Sequence, residues 1–161
     1  WRWHVVPLVE EKIFFIESAR TKPTFGEARI IQVADLDEVP LILPGLTNGL
    51  RRTLNSAFSR FGIRPRVIAE IDSTAALGGA VHDGMGATLN AWAAIARQPD
   101  AASRYRLTEL DGITRRNSLC CLSEDELSMA ARGARLALID CVRELTDEGR
   151  WFATTSIIHE A

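Results

Sequence analysis

The sequence has no block of basic residues, which removes the usual basis for contact with nucleic acid. Lys and Arg together number 19 against 21 Asp and Glu, a formal net charge of −2. Binding a phosphate backbone needs concentrated cations that displace counterions, so direct DNA or RNA binding by this segment is not expected. No apolar run approaches the ~20 residues that cross a bilayer. A charged-then-apolar leader is also missing, and the chain opens at Trp1 rather than Met, so it reads as a segment beginning within a longer protein. Cysteines are few and odd in number: Cys120, Cys121 and Cys141. Bridging the adjacent pair would close a strained ring. An odd, unpatterned set suits a reducing cytosol better than a secreted disulfide framework, and plain structural thiols are expected.

The residues that would carry catalysis or hold a metal are not patterned for it either. None of His4, His82 and His159 has a His or Cys partner at i+3 or i+4. Cys120-Cys121 lacks the spacing of a zinc knuckle or a thiol-redox pair. There is no G-x-S-x-G elbow and no phosphate-binding G-x-x-x-x-G-K-[ST] loop. Gly84-Met85-Gly86 follows a helical stretch and precedes a strand, the reverse of a dinucleotide fingerprint, and reads as a tight turn. Glu124, Asp125 and Glu126 form a short acidic cluster that reads as a solvated first helical turn rather than a calcium loop. No metal, no cofactor and no enzymatic activity are expected.

What is present is an ordinary globular composition, 47% hydrophobic and 25% charged over 161 residues. That is enough chain for about one domain of the usual ~100–200 residues, with a core that needs no disulfide or metal. Val5–Val9 and Lys12–Glu17 read as two strands joined by a polar step. Thr21–Gly26 reads as loop, and Ala34–Val39 as a short helical turn. Pro40–Leu43 reads as a strand closed by Pro44. Leu50, Leu54, Ala57, Phe58 and Phe61 make a helical stripe, with Arg51 on the opposite, polar side, Thr47 or Asn48 as N-cap and Gly62 as terminator. Arg66–Ile71 reads as a strand. Asp72 and Ser73 cap a helix through Val81, Ala87–Leu89 is a short strand, and Ala91–Ala96 one or two helical turns. Tyr105–Leu110 and Ser118–Leu122 read as separate strands. A long helix then runs to about Glu148, N-capped by Ser128 or by Ser123 with Glu126. Its packed stripe is expected to be Ala131, Ala134, Leu138, Cys141, Val142 and Leu145, and Trp151 onward is expected to be a tail.

Between Leu41 and Ala96 strands and helices alternate with short loops, the pattern of a parallel α/β sheet. Ligands of such sheets bind outside the carboxyl ends of the strands. Three strand-to-helix junctions lie on that edge: Pro44–Asn48, Asp72–Thr74 and Asn90–Ala91. Free N–H groups and the positive dipole end suit a carboxylate or phosphate there, and Gly45 and Gly49 would admit a ligand close to the backbone. Simple helix capping accounts for the same residues, and spacing alone leaves the two readings open.

Several runs occur in a telling order: Pro40-Leu41-Ile42-Leu43-Pro44, Gly49-Leu50-Arg51, Phe61 to Val67, Ala69-Glu70-Ile71-Asp72-Ser73, and Gly84 to Leu89. Pro7 to Glu11, Ile113 to Arg116, and Leu127-Ser128 with the long helix extend the set. Together they resemble the effector-binding domain of LysR-type transcriptional regulators, and their wording is closest to the nitrogen-assimilation-control branch. The resemblance implies a two-lobed fold like type II periplasmic binding proteins, with two crossover strands and a small, anionic effector in the cleft. Residues 1–17 would hold the end of the first lobe and one crossover strand, and residues 18–107 the second lobe. Residues 108–161 would hold the return crossover and the C-terminal helix of an incomplete first lobe. The resemblance also implies a cytoplasmic homodimer or homotetramer that reaches DNA through a winged helix-turn-helix absent from this chain, with no membrane contact. It tips the junctions toward a cleft wall, so the expected effector-binding residues are Pro44, Gly45, Thr47, Asn48, Gly49, Ser73, Thr88 and Asn90. Asn90 stands where the family usually has an apolar residue before proline, and reads either as a ligand-facing amide or as an N-cap. Gly49 and Phe58 occupy the positions matched to the reactive cysteines of the peroxide-sensing branch, which argues against peroxide sensing.

Two other classes remain to be weighed. A periplasmic solute-binding protein of the same architecture would carry an upstream signal peptide. A small α/β enzyme would have to use Cys120, Cys121 or His82.

Overall fold

The computed structural model describes residues 3–158, so His159 lies outside it. The elements, in chain order, are β1 (Trp3–Ser18), β2 (Ile30–Ile31), β3 (Pro40–Leu43), α1 (Gly49–Phe61), β4 (Arg66–Glu70), α2 (Thr74–His82), β5 (Thr88–Asn90), α3 (Ala101–Arg104), β6 (Tyr105–Leu122), α4 (Met129–Asp147) and β7 (Thr154–Ser156). The chain divides into two compact units: Lys12–Arg115, and Trp1–Glu11 with Arg116–Ala161. β1 and β6 each contribute residues to both.

In the Lys12–Arg115 unit, β3 and β4 pair in parallel through Pro40↔Arg66 to Leu43↔Glu70, with a register shift between Leu41 and Ile42. Leu41 also bridges Ala87 in parallel. β5 runs antiparallel to β1, with Phe15 opposite Leu89, and β2 lies parallel to β6. The α/β reading therefore holds, with one refinement: β1 pairs antiparallel with β5, making the sheet mixed. The core is built from Ile13, Phe15, Leu36, Leu41, Leu43, Leu54, Leu89 and Leu110, all nearly or fully buried. Leu50, Leu54, Ala57 and Phe58 seat α1 on this core through the predicted stripe. Gly62 ends the helix in the left-handed region at φ 68°, where a Cβ is unwelcome.

Two single strands replace predicted pairs. β1 runs unbroken through Glu10-Glu11-Lys12, and β6 unbroken through Asp111-Gly112. The polar steps are tolerated because the charges find partners. Lys12 pairs with Glu109 at 2.7 Å. Glu11, buried in the other unit, accepts from Asn117 Nδ2 at 2.7 Å and from Trp151 Nε1 at 2.9 Å. Gly112 takes a positive φ of 77°, a conformation glycine adopts without steric cost.

The other unit corrects two further expectations. Residues beyond Trp151 are not a tail: β7 pairs antiparallel with β1 through Val9↔Ser156 and Glu11↔Thr154. Ser128 caps α4, accepting from the Ala131 N–H at 3.2 Å, while Ser123 and Glu126 join side chain to side chain. Residues Glu124–Glu126 form a separate 3-10 turn rather than the first turn of α4. The buried face of α4 centres on Ile139 and Val142. Leu138 is 51% exposed and Cys141 is exposed, so the packed stripe lies rotated from the expected one. The helix carries two apolar stripes, and the sequence periodicity alone does not say which one packs.

Candidate functional site

The carboxyl ends of β3, β4 and β5 deliver three junctions to one edge of the Lys12–Arg115 unit. Between them lies a cavity of about 80 Å³. Its polar wall is Asn48, Asp72, Thr74, Asn90 and Arg115, with Pro44 at its back. Leu50, Ile71, Leu77 and Ala94 supply the apolar part.

Three of the polar groups, Asn48, Asp72 and Asn90, are held by hydrogen bonds from backbone N–H groups. Asn48 is the N-cap of α1, its Oδ1 accepting from the Leu50 N–H at 2.9 Å. Ser73 caps α2 in the same way, accepting from the Ala76 N–H at 3.4 Å. Asp72 reaches across to the first junction and accepts from the Gly45 N–H at 2.9 Å. A Cβ on Gly45 would stand 3.0 Å from Asp72 Oδ2, so a larger residue there would crowd the carboxylate in this contact. Asn90, only 5% exposed, accepts from the Ala91 N–H through Oδ1 at 2.9 Å. That bond fixes the orientation of the amide, because Ala91 N–H requires an oxygen. The Nδ2 group then has no partner among the described residues.

The structure thus brings Pro44, Asn48 and Asn90 together around the cavity. Gly45 stands beside it, occupied by Asp72. Thr47 and Ser73 are exposed and do not line it. Gly49 has open space above its Cα, and Thr88 is fully buried within β5. Asn90 is the last residue of β5, and the following 3-10 turn, Trp92–Ala94, takes Ala91 as its N-cap. The N-cap alternative for Asn90 is therefore replaced by an adjacent-residue bond that leaves its amide donor available.

Two contributors escaped the sequence reading. Arg115 arrives from β6, well beyond the last of the three junctions in sequence, and nothing local marks it. Arg51 was expected on the polar face of α1, yet it is 6% exposed. Its guanidinium donates to the Pro44 carbonyl at 2.8 Å, to Glu70 at 2.9 Å and to Asn55 at 3.1 Å, tying the first junction to β4. A signal was available: Arg51 follows a buried Leu one turn from a cap, where a long side chain can fold back over the turn. Arg51→Met keeps the stem packed but leaves the Pro44 carbonyl without its charged donor. The expected cost is about 2 kcal/mol, read as a shift of the urea midpoint at unchanged slope.

A larger cavity of about 220 Å³ lies elsewhere in the same unit, near Glu17, Thr21, Lys22 and Met85. It offers less to a ligand, because its buried carboxylate is already satisfied. Glu17 accepts from Thr24 at 2.7 Å and from Arg106 at 3.0 Å. Gly84 and Gly86 border this cavity as the expected turn. Gly84 has φ 75°, and a Cβ on Gly86 would stand 2.8 Å from Ile68 Cδ1. Among the described residues no group of three or more His, Cys, Asp or Glu is arranged to hold a metal ion. No helix among them is long and apolar enough to cross a membrane.

Comparison with known proteins gives this architecture a context. The model of the family described as "LysR substrate binding domain" matches residues 2–146. No individual curated protein matches significantly. Among solved structures, the Synechocystis CcmR regulatory domain in complex with 2-PG is 19% identical, with a TM-score of 0.77 over 89% of this chain and 69% of that one. The effector binding domain of QuiR in complex with shikimate is 16% identical, with a TM-score of 0.72 over 88% of this chain and 66% of that one. HinK, a LysR family transcriptional regulator from Pseudomonas aeruginosa, is 18% identical, with a TM-score of 0.64 over 88% of this chain. The chain spans about two thirds of the two effector-domain structures and 47% of HinK.

Proposed function

Because the chain belongs to the LysR substrate binding domain family, we propose that it senses a small-molecule effector for a LysR-type transcriptional regulator, and that the effector contacts the cavity between the three junctions. The observation that carries this reading is Asn90: a nearly buried amide whose donor lies unpaired at the edge where α/β sheets bind ligands. Two of the similar structures hold small molecules, 2-PG and shikimate. A solute-binding protein of the same architecture is less well supported, since the matched family is that of the regulators.

The wider assignment belongs to the same proposal. Family membership supports DNA contact through a winged helix-turn-helix outside this chain, in a cytoplasmic homodimer or homotetramer, and the lack of a basic block here fits that division of labour. The absence of metal-ligand spacing and of a patterned nucleophile supports a regulator without catalysis. The wording of the ordered set of runs as a whole supports the nitrogen-assimilation-control branch.

A thermal-shift screen of the full chain against small organic acids, amino acids and sugars tests the reading. At least one class should raise the melting temperature, and Asn48→Ala should weaken that response several-fold. A hit whose affinity is untouched by changes at both Asn48 and Asn90 would place the effector elsewhere.

A further inference from the structure

The cavity carries charges of both signs, and this bears on what it selects. Asp72 accepts one bond, from the Gly45 N–H to Oδ1. Among the described residues Oδ2 has no hydrogen-bond or ion-pair partner, although the carboxylate lines the cavity. Asp72 is exposed, so water meets Oδ2 in the free chain; a purely anionic guest is disfavoured there, because like charges repel and the guest displaces that water without supplying a donor. On the same wall stands one donor without a partner, the Asn90 amide, and the Arg115 guanidinium, which has a partner of its own, adds positive charge. The junctions add helix N-termini, which also favour an acceptor on the ligand. The walls therefore ask for a ligand with an acceptor end and a donor end.

The small volume narrows this further. About 80 Å³ is well below the ~300–1,000 Å³ of clefts that engulf drug-sized ligands. That volume suits a compact head, one that carries its donor and acceptor on neighbouring carbons.

Resting on the proposed effector site, we propose that the ligand head is an α-substituted carboxylate, an α-amino or α-hydroxy acid. Its carboxylate faces Asn90 and Arg115, and its ammonium or hydroxyl donates to Asp72. Asp72 is thus the specificity-determining residue, selecting for the α-substituent and against plain carboxylates. In this arrangement Gly45 has a second purpose: its N–H holds the Asp72 carboxylate in place, and its missing Cβ gives that carboxylate room.

The test uses matched acids that differ only at the α-carbon: acetate, glycolate and glycine; propionate, lactate and alanine; succinate, malate and aspartate. Binding to the full chain is followed by amide chemical shifts, with Gly45 N–H and the Asn90 side-chain NH2 as reporters. In at least one series the α-amino or α-hydroxy member should bind about ten-fold more tightly than its plain acid, the scale of one hydrogen bond to a charged group. Asp72→Asn keeps an oxygen for the Gly45 N–H but removes the charge, and should cut any ammonium preference to about two-fold or less. Plain acids binding as tightly as their substituted partners, with the Asn90 signals shifting, would overturn this selectivity while leaving the effector site standing. An unchanged preference in Asp72→Asn would do the same. Binding that leaves both reporters unmoved, or no binding across all three series, would overturn the α-acid assignment; a hit from the broader screen that depends on Asn90 would still uphold the site.

Discussion

Glu17→Ala is expected to destabilise the Lys12–Arg115 unit by about 3 kcal/mol, the lower end of the ~3–5 kcal/mol seen when one partner of a buried pair is removed. The side chain of Glu17 is 6% exposed, and its two oxygens hold three donors. Thr24 contributes its backbone N–H at 3.1 Å and its hydroxyl at 2.7 Å, and Arg106 its guanidinium at 3.0 Å. Arg106 is itself 31% exposed, so its orphaned charge regains some water, which is why the lower end applies. Loss of the carboxylate loosens the segment after β1, because Glu17 orients the Arg106 guanidinium that also donates to the Ala19 and Thr21 carbonyls. For a chain of this size the change corresponds to roughly 6–12 °C in melting temperature. Glu17→Gln keeps an acceptor and should lose about a third as much. A melting curve for Glu17→Ala within a degree of the wild type would mean that the loop does not depend on this cluster.

Asn90→Leu is expected to reduce effector affinity by at least about ten-fold, the largest effect foreseen on binding. Leucine fills a similar volume but offers neither donor nor acceptor. It also leaves the Ala91 N–H without its oxygen, so a stability loss of about 1–2 kcal/mol should accompany the change. Asn90→Asp separates the two effects. It preserves an acceptor for Ala91 N–H while turning the cavity-facing donor into an acceptor, so binding of a carboxylate-bearing effector should fall while the turn after β5 holds. Titration calorimetry on the two variants, at matched folded fraction, reads the difference. Equal affinity for wild type and both variants would remove Asn90 from the site.

Those two residues show how unevenly the molecule can be read from its sequence. Both ends of α1 were legible, from an asparagine cap and a terminating glycine, and so was its stripe from Leu50 to Phe58; Phe61, expected on the stripe, is 46% exposed, and Arg51, expected on the polar face, is buried. Ser73 as the cap of α2 was legible in the same way. The long strands were not, because Glu11 and Lys12 look like a break until their partners, Trp151, Asn117 and Glu109, are brought in from far along the chain. The face of α4 was misjudged because Leu138 and Cys141 compete with Ile139 and Val142 for the inner position, and only tertiary packing decides. The site divides similarly. Pro44, Asn48 and Asn90 followed from the rule that ligands gather at the carboxyl ends of parallel strands. Thr47 and Ser73 followed from the same rule, but as exposed cap-region residues they point to the junction without lining it. Asp72 could be read as a helix cap at a junction on the ligand-binding edge, but not as the group that holds Gly45, because that bond spans two junctions. Arg115 and the inward fold of Arg51 depend on contacts that no local pattern announces.

The cysteines support this division of roles. All three are free, and Cys120 and Cys141 are exposed rather than packed, so the expected structural thiols are not core residues. None lines the cavity between the junctions. The polar groups that do line it are Asn48, Asp72, Thr74, Asn90 and Arg115.

A crystal structure of the full chain with the tightest-binding compound from the screen tests the central claim most directly. The account predicts that compound in the cavity, with an acceptor atom within about 3 Å of Asn90 Nδ2 and a donor within about 3 Å of Asp72 Oδ2. The compound bound elsewhere, with the Asn90 amide still unpaired and the cavity between the three junctions holding only water, would contradict it.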